Sequence, residues 1–331
     1  MLPTVSVIIP CLNEDKTIHL LLDALFAQTY PIDLMELVIA DGLSTDNTRK
    51  VISDFSLKQP ALKITVIDNP KRTIPSGLNL AIKSASGEYL VRLDAHSIPR
   101  PDYIIRCIEA HLGEVAENVG GVWDIHPQND SLIARSIAAA AAHPLGVGDA
   151  KYRYTDKAEY VDTVPFGSFN KAYLETIGGF DETLLTNEDY ELNTRIHQAG
   201  GRVWLDPQIR TVYYARRNLR DLYHQYWRYG FWKAEMIKRY PRTLRPRQAL
   251  PPVFVAGLVL LFLLGIFWRP ALWVGSGVVA VYLLVLLLIG TQIALKKKDF
   301  LMMFGVPLAI ATMQLTWGAG FLVGLAIKQK V

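Results

Sequence analysis

The fold is decided by Val5-Ser6-Val7-Ile8-Ile9-Pro10-Cys11-Leu12-Asn13-Glu14. Its short apolar run ends in an amide and a carboxylate, which is typical of a buried strand that leads into a polar loop. Downstream, Ile18, Leu21, Leu22 and Leu25 repeat at helical spacing. A strand followed by an amphipathic helix is the unit from which parallel sheets are built.

The same alternation continues to about residue 125. We predict strands at residues 5–10, 37–40, 64–67, 89–93 and 122–125, with amphipathic helices between them. The chain is therefore predicted to be α/β, with a doubly wound and mostly parallel sheet. Ligands of such sheets bind beyond the carboxyl ends of the strands.

Polar groups stand at three of these strand ends: Asn13-Glu14, Asp41 to Asp46, and Asp94-Ala95-His96. Asn13 and Asp46 alone would be ordinary helix caps. Since all three strand ends should meet at one edge of the sheet, we predict a binding crevice there.

The chain has 331 residues and a formal net charge of +4, but charge is unevenly distributed. Residues 1–205 hold 18 basic and 27 acidic residues, whereas residues 206–252 hold 11 and 3. Apolar runs follow at 253–268, 271–295 and 300–327. A helix needs about 20 apolar residues to cross the hydrocarbon, so these runs are predicted to be transmembrane, with helices of a soluble core as the weaker alternative. The third run crosses once, or is bent into a hairpin at Pro307.

Positive residues indicate the orientation. Arg242, Arg245 and Arg247 before the first run, and Lys296-Lys297-Lys298 after the second, lie on one side, which the positive-inside rule makes cytoplasmic. Lys328 and Lys330 would lie outside if the third run crosses once. Two cysteines, Cys11 and Cys107, provide no disulfide framework, which suits a reducing cytosol. We expect no signal peptide, because residues 6–10 are too short and end in proline.

Residues 4–248 resemble family 2 glycosyltransferases with the GT-A fold, especially the branch that acts in succinoglycan-type exopolysaccharide synthesis. The matching motifs, besides the three strand ends, are Asn79 with Gly87-Glu88-Tyr89, Val147-Gly148-Asp149, residues 161–167, Gly178-Gly179-Phe180-Asp181, residues 187–193 and Gln225-Tyr226-Trp227-Arg228-Tyr229-Gly230. The predicted domains are a GT-A catalytic domain at 1–215, a basic and aromatic interfacial region at 216–250 and a transmembrane region at 251–331.

The resemblance implies a UDP-sugar donor. Asp41 would lie near the base and Pro10, Asn13 and Glu14 near the nucleotide. The other donor-binding residues implied are Asn79, Asp94, Ala95 and Gln225.

The Asp94-Ala95-His96 triplet corresponds to the family's Asp-X-Asp, which holds a divalent cation on the donor diphosphate. Here His96 replaces the third-position Asp. Mg²⁺ prefers oxygen ligands, whereas Mn²⁺ accepts imidazole more readily, so the metal's identity stays open. Alternatively, His96 hydrogen-bonds phosphate and only Asp94 binds the metal.

Glu188 and Asp189 precede an amphipathic helix predicted at 190–199. On their own they read as an acidic first turn that complements the helix dipole. The resemblance implies instead that Asp189 is the general base of an inverting transfer, with Glu188 as the next candidate.

Residues 220–240 interleave aromatic and cationic side chains. This composition favours a helix at the bilayer surface that binds anionic lipid. Beyond anchoring, the resemblance implies that Arg228 neutralises the departing diphosphate.

The expected function is transfer of a hexose from a UDP-sugar to a hydroxyl of a polyprenyl-diphosphate-linked saccharide. Transfer to a polyprenyl phosphate, and a non-catalytic membrane protein that binds nucleotide-sugars, are the alternatives. Three spans offer little material for the channel of a processive synthase. A nucleic-acid partner is not expected, because the basic stretch adjoins the membrane and the remainder is acidic.

Overall fold

The structure, a computed structural model, describes residues 1–327 and divides into two compact units. The first unit comprises Met1–Asp124 and Thr155–Tyr213, and the second comprises Ile125–Tyr154 and the chain from Tyr214 onward. The predicted catalytic domain ends close to this boundary at residue 215. However, Ile125–Tyr154, placed in that domain by the sequence, groups with the C-terminal helices. The predicted domain limits stay a prediction.

One nine-stranded sheet is described within residues 1–327. Its strands are β1 (Val5–Cys11), β2 (Met35–Asp41), β3 (Lys63–Asp68), β4 (Tyr89–Arg92), β5 (Ile98–Pro99), β6 (Asn118–Pro127), β7 (Glu159–Tyr160), β8 (Ser168–Asn170) and β9 (Val203–Ala215). Their order is β3-β2-β1-β4-β8-β6-β9-β5, with β7 paired to β9.

The helices that accompany this sheet are α1 (Ile18–Phe26), α2 (Thr48–Lys58), α3 (Ile74–Ser84), α4 (Tyr103–Leu112), α7 (Lys171–Ile177) and α8 (Glu188–Gln198). Those of the second unit are α5 (Leu132–Ala141), α6 (Pro144–Val147), α9 (Leu219–Arg239), α10 (Pro246–Gly265), α11 (Arg269–Lys297) and α12 (Met302–Ala326).

The predicted doubly wound α/β sheet is confirmed by strands β1 to β4. β1 pairs in parallel with β2 and with β4, and β2 pairs in parallel with β3. Every residue of β1 and β2 is buried, as expected for a parallel sheet covered on both faces. The remaining half is less parallel than predicted, since β8 pairs antiparallel with both β4 and β6, and β5 and β7 pair antiparallel with β9.

By length and composition, α10, α11 and α12 could each cross a membrane. The first begins earlier than predicted, at Pro246, because proline fits the first turn of a helix, where its missing N–H costs nothing. The hairpin alternative for the third run is wrong, since α12 continues through Pro307 as one helix. Lys328 and Lys330 lie outside the described residues.

Candidate active site

Arg92, the last residue of β4, joins the two acidic motifs of the first unit. Its side chain is buried, and its Nη2 donates to Asp94 Oδ1 at 3.2 Å and to Glu188 Oε1 at 3.0 Å. Its Nη1 donates to Asp189 Oδ1. The strand end and the first turn of α8, remote in sequence, therefore meet at one guanidinium.

The sequence analysis missed Arg92. The signal was present, because a charged residue in an otherwise apolar strand is almost never fully buried without a partner. What the sequence does not reveal is which partners it has. Arginine suits this position, since its guanidinium presents several donors in a fixed fork that matches carboxylate oxygens.

Two aromatic rings and a strained loop complete the surroundings of Arg92. Phe166 and Phe180 lie 5.9 Å and 5.7 Å from its guanidinium carbon, which is within cation–π range. The Arg92 backbone N–H donates to the carbonyl of Gly167 at 3.0 Å. Phe166 itself has φ +64°, a left-handed conformation that costs a non-glycine residue about 1–3 kcal/mol. Its backbone N–H helps to lower the pKa of the Asp189 carboxylate, so this strained residue contributes to the site.

Asp189 is a carboxylate that takes up a proton readily. Burial raises its pKa, Glu188 and Asp94 raise it further by repulsion, and Arg92 opposes them; the net pKa lies well above the ordinary value. About a quarter of its side chain, 24%, remains exposed. A raised pKa and partial access are the properties that a general base requires.

The first two strand ends meet as predicted. Thr45 N–H donates to Asn13 Oδ1 at 2.8 Å, and Asn13 N–H donates to Ser44 Oγ at 2.8 Å. Glu14 N–H donates to Thr48 Oγ1 at 2.8 Å. These bonds make the two loops one surface at the carboxyl edge of the sheet.

Asp41 lies beneath this surface and Pro10 lies inside β1, both buried. The Asp41 carboxylate, which was predicted to lie near the base, accepts from Ser44 N at 3.1 Å and from Arg49 Nε at 2.5 Å. Asp46 accepts from Thr48 N at 3.0 Å, but the N-cap position of α2 belongs to Asn47, whose side chain makes no capping bond. In the structure Asp41 thus holds the loop that a nucleotide would contact, and its own contact with the base stays a prediction.

Asn79 binds the backbone of Phe180, one of the aromatic residues of this site. Its Nδ2 donates to the Phe180 carbonyl at 2.8 Å, and its Oδ1 accepts from Phe180 N at 2.9 Å. The amide therefore fixes one of the two rings that flank Arg92. Its predicted contact with the donor stays a prediction.

The Asp94-Ala95-His96 triplet offers the donors that a divalent cation needs. The Ala95 side chain is buried, whereas His96 is half-exposed and its Nδ1 lies 3.2 Å from Glu14 Oε1. Within residues 1–327 no cluster of three or more His, Cys, Asp or Glu has metal-binding geometry. A nucleotide-bound Mg²⁺ needs only one or two protein carboxylates, because phosphates and water supply the rest. Asp94 supplies one such carboxylate, and metal ligation by His96 stays a prediction.

Gln225 and Arg228 lie on α9, in the second unit. Gln225 Nε2 donates to Tyr229 Oη at 3.0 Å, and Arg228 is exposed. Their predicted donor and catalytic roles stay predictions.

Comparison with known proteins agrees with this geometry. Residues 6–178, more than half of the chain, match the model for glycosyl transferase family 2. The chain is 32% identical to the succinoglycan biosynthesis protein ExoA of Rhizobium meliloti, over 95% of this chain and 93% of that protein. It is 30% identical to a dolichyl N-acetyl-alpha-D-glucosaminyl phosphate 3-beta-D-2,3-diacetamido-2,3-dideoxy-beta-D-glucuronosyltransferase of Methanococcus voltae, over 71% of this chain and 74% of that one.

A solved mannosyltransferase from Pyrobaculum calidifontis superposes with a TM-score of 0.59 at 21% identity, covering 95% of this chain and 88% of the other. This likeness shows that the α/β fold is the Rossmann-like GT-A fold, followed by apolar helices that could span a membrane. With the family model and the two relatives, it establishes that the chain is an enzyme and belongs to glycosyl transferase family 2.

Proposed function

We propose that this glycosyltransferase moves a hexose from a UDP-sugar to a hydroxyl of a polyprenyl-diphosphate-linked saccharide, with inversion, in cell-surface polysaccharide synthesis. The observation that carries the proposal is the arginine that joins Asp94 to Asp189. A carboxylate suited to the donor diphosphate and a carboxylate suited to the acceptor proton thereby lie on one guanidinium.

The reaction needs one displacement. Asp189 takes the proton of the acceptor hydroxyl as that oxygen attacks the anomeric carbon. The bond from this carbon to the diphosphate oxygen breaks, and UDP leaves with the electron pair. Attack and departure on opposite faces invert the anomeric configuration. Glu188 and Asp94 place further negative charge near the sugar, where positive charge develops in the transition state.

A divalent cation held by Asp94 and His96 would neutralise the diphosphate as it leaves. Mg²⁺ and Mn²⁺ both fit this donor set. Arg228 would add a second positive charge at the leaving group.

The substrates are proposed from the relatives. One relative is named for succinoglycan biosynthesis, and another for transfer to a dolichyl-phosphate-linked sugar. The mannosyltransferase of the same fold was solved with GDP-mannose and Mn²⁺, which supports a nucleotide-sugar donor in general. A membrane-embedded acceptor also agrees with the apolar helices, and the basic residues before α10 and after α11 favour a catalytic domain on the cytoplasmic side, beside anionic lipid.

The test uses membranes that contain the full chain, a panel of labelled UDP-sugars and GDP-mannose, and two acceptors: a polyprenyl-diphosphate saccharide and a polyprenyl phosphate. We expect label from one UDP-hexose to enter the saccharide, with inverted configuration and loss of transfer in EDTA. Membranes with Asp189→Asn serve as the control. Transfer only to polyprenyl phosphate would replace the proposed acceptor, and transfer only from GDP-mannose would replace the donor. Neither transfer nor hydrolysis of any of these donors would refute the proposed donor and acceptor.

A further inference from the structure

The second unit contains a helix, α12, that is long enough to cross a membrane but is more buried in protein than α10 and α11. α12 has 25 residues, enough to cross. Yet 44% of its most apolar stretch is buried in protein, against 11% in each of α10 and α11. The three helices are therefore not equivalent, and the question is what covers α12.

The C-terminal half of α12 packs closely along α9. A Cβ at Gly320 would lie 2.5 Å from the Trp227 carbonyl oxygen, and one at Gly324 would lie 2.7 Å from that of Phe231. At the far end, Lys238 Nζ donates to the carbonyls of Gly324 at 2.8 Å and Ile327 at 3.2 Å. The two backbones thus follow each other over about two turns of α12.

α9 is too highly charged to share a path through hydrocarbon. Its charged residues are Arg220, Asp221, Arg228, Lys233, Glu235, Lys238 and Arg239. A single Asp, Lys or Arg at the centre of a membrane helix costs about 2.5–3.5 kcal/mol on insertion scales. Because α12 follows α9 so closely, that half of α12 lies where α9 lies, outside the hydrocarbon core.

Chain length leads to the same conclusion. α10 and α11 form an antiparallel pair, since Gly265 lies against Leu272 and Phe254 lies 4.8 Å from the Tyr282 ring. Pro246 and Lys297 therefore mark the same side of the membrane.

The two ends of α12 are tied to elements near that side. Its first residue, Met302, follows Lys297 by five residues, and Asp299 between them pairs with Arg135 of α5 at 2.8 Å. At the other end of α12, the Ile327 carbonyl accepts a hydrogen bond from Lys238, which precedes Pro246 by eight residues. Eight residues span at most about 28 Å when fully extended, and Pro241–Thr243 is helical, which shortens the path. The hydrocarbon core is about 30 Å thick.

The exposed face of α12 has the form expected at a bilayer surface. The large exposed residues of α12 and the position before it are Leu301, Phe304, Leu308, Leu315 and Leu325, while Val306, Ile310 and Met313 are buried. The face of α12 that turns away from the protein is therefore apolar and calls for an apolar partner such as lipid.

We propose that only α10 and α11 cross the membrane, and that α12, held by α5 and α9, lies in the lipid interface on the side where α10 begins. The exposed apolar face of α12 contacts lipid at the level where headgroups meet acyl chains. Ile327, the last described residue, then lies on the same side as residue 242. This inference goes beyond the proposed function and does not depend on it.

The experiment uses three versions of the full chain: Arg242→Cys, Phe267→Cys in the turn between α10 and α11, and a cysteine appended after residue 331. Cys11 and Cys107 are buried and give little background. A membrane-impermeant maleimide is applied to intact cells and then to permeabilised cells. We expect Arg242→Cys and the appended cysteine to behave alike and Phe267→Cys to behave oppositely. An appended cysteine that reacts as Phe267→Cys does would show that α12 crosses and would overturn the inference.

Discussion

Asp189→Asn should separate catalysis from stability, because the structure predicts that turnover falls while the melting temperature is kept or rises. Asparagine retains the size of Asp189 and an acceptor for Arg92 but takes no proton at neutral pH. If Asp189 is the base, turnover should fall by about 10²–10⁴-fold while UDP affinity stays within a few-fold.

Stability should not fall with it. Burial and neighbouring carboxylates raise the pKa of Asp189 in the folded chain above its ordinary value of 3.8. Between these two pKa values the folded chain binds more protons than the unfolded chain, so stability decreases as pH rises. At a pH above the ordinary pKa of Asp189, each unit by which its folded-state pKa is raised lowers the free energy of unfolding by up to about 1.4 kcal/mol. The attraction of Arg92 for the ionised carboxylate is already contained in this net shift, because it opposes the effects of burial and of the neighbouring carboxylates. We therefore expect Asp189→Asn to melt at or above the wild-type temperature, with the difference growing from pH 5 to pH 8.

The matched control is Glu191→Gln on the same helix. Glu191 is buried and its two oxygens bind Arg195 at 2.7 Å each, so this variant should lose stability but keep its turnover below the melting temperature. The helix-dipole interpretation of Asp189 predicts the reverse of our result: a loss of about 0.3–1 kcal/mol in stability with turnover intact. Full transfer by Asp189→Asn would refute the base assignment and direct attention to Glu188.

Four further predictions concern other parts of the chain. Asp94→Ala should abolish metal-dependent transfer, and wild-type turnover that survives EDTA would remove the metal's role. His96→Asp should stay active with a preference shifted toward Mg²⁺; an inactive variant that still binds UDP would count against His96 as a ligand. Burial raises the pKa of Glu36, but hydrogen bonds outweigh it and lower this pKa from 4.5 to about 2. As pH falls from 4.5 to 2, the free energy of unfolding should therefore decrease by up to about 3 kcal/mol. In Glu36→Gln the melting temperature should depend less on pH in this range. Gly320→Ala, whose Cβ would meet the α9 backbone at 2.5 Å, should lower the melting temperature in detergent, whereas Gly257→Ala, with no atom within 4 Å, should not.

The first half of the sheet was predictable because its information is local. Residues 5–10 and 37–40 are apolar runs with polar ends, and a buried parallel strand requires little more. The convergence of Asn13 with the loop after Asp41 followed from topology alone. Ser168–Asn170, by contrast, is a three-residue strand with no periodicity to recognise, so the antiparallel half of the sheet was not resolved.

Two features depended on partners that lie far away in the sequence. Arg92 acquires its role only when α8, 96 residues later, delivers Glu188. The third apolar run looked like the other two because hydropathy measures composition and not contact. The glycines at 320 and 324 become informative once it is known that α9 lies against them.

The charge balance of the site shows that Arg92 binds three carboxylates but does not neutralise all of them. Three carboxylates surround a single guanidinium, so the cluster carries an excess of two negative charges when all are ionised. Burial raises the pKa of Asp189 in the resting protein, and repulsion by the other two carboxylates raises it further. A divalent cation that enters with the donor would lower the pKa of Asp189 again, since a nearby opposite charge favours the ionised carboxylate. Asp189 would then lose its proton as the donor and its cation bind, and would be ionised when there is a sugar to transfer.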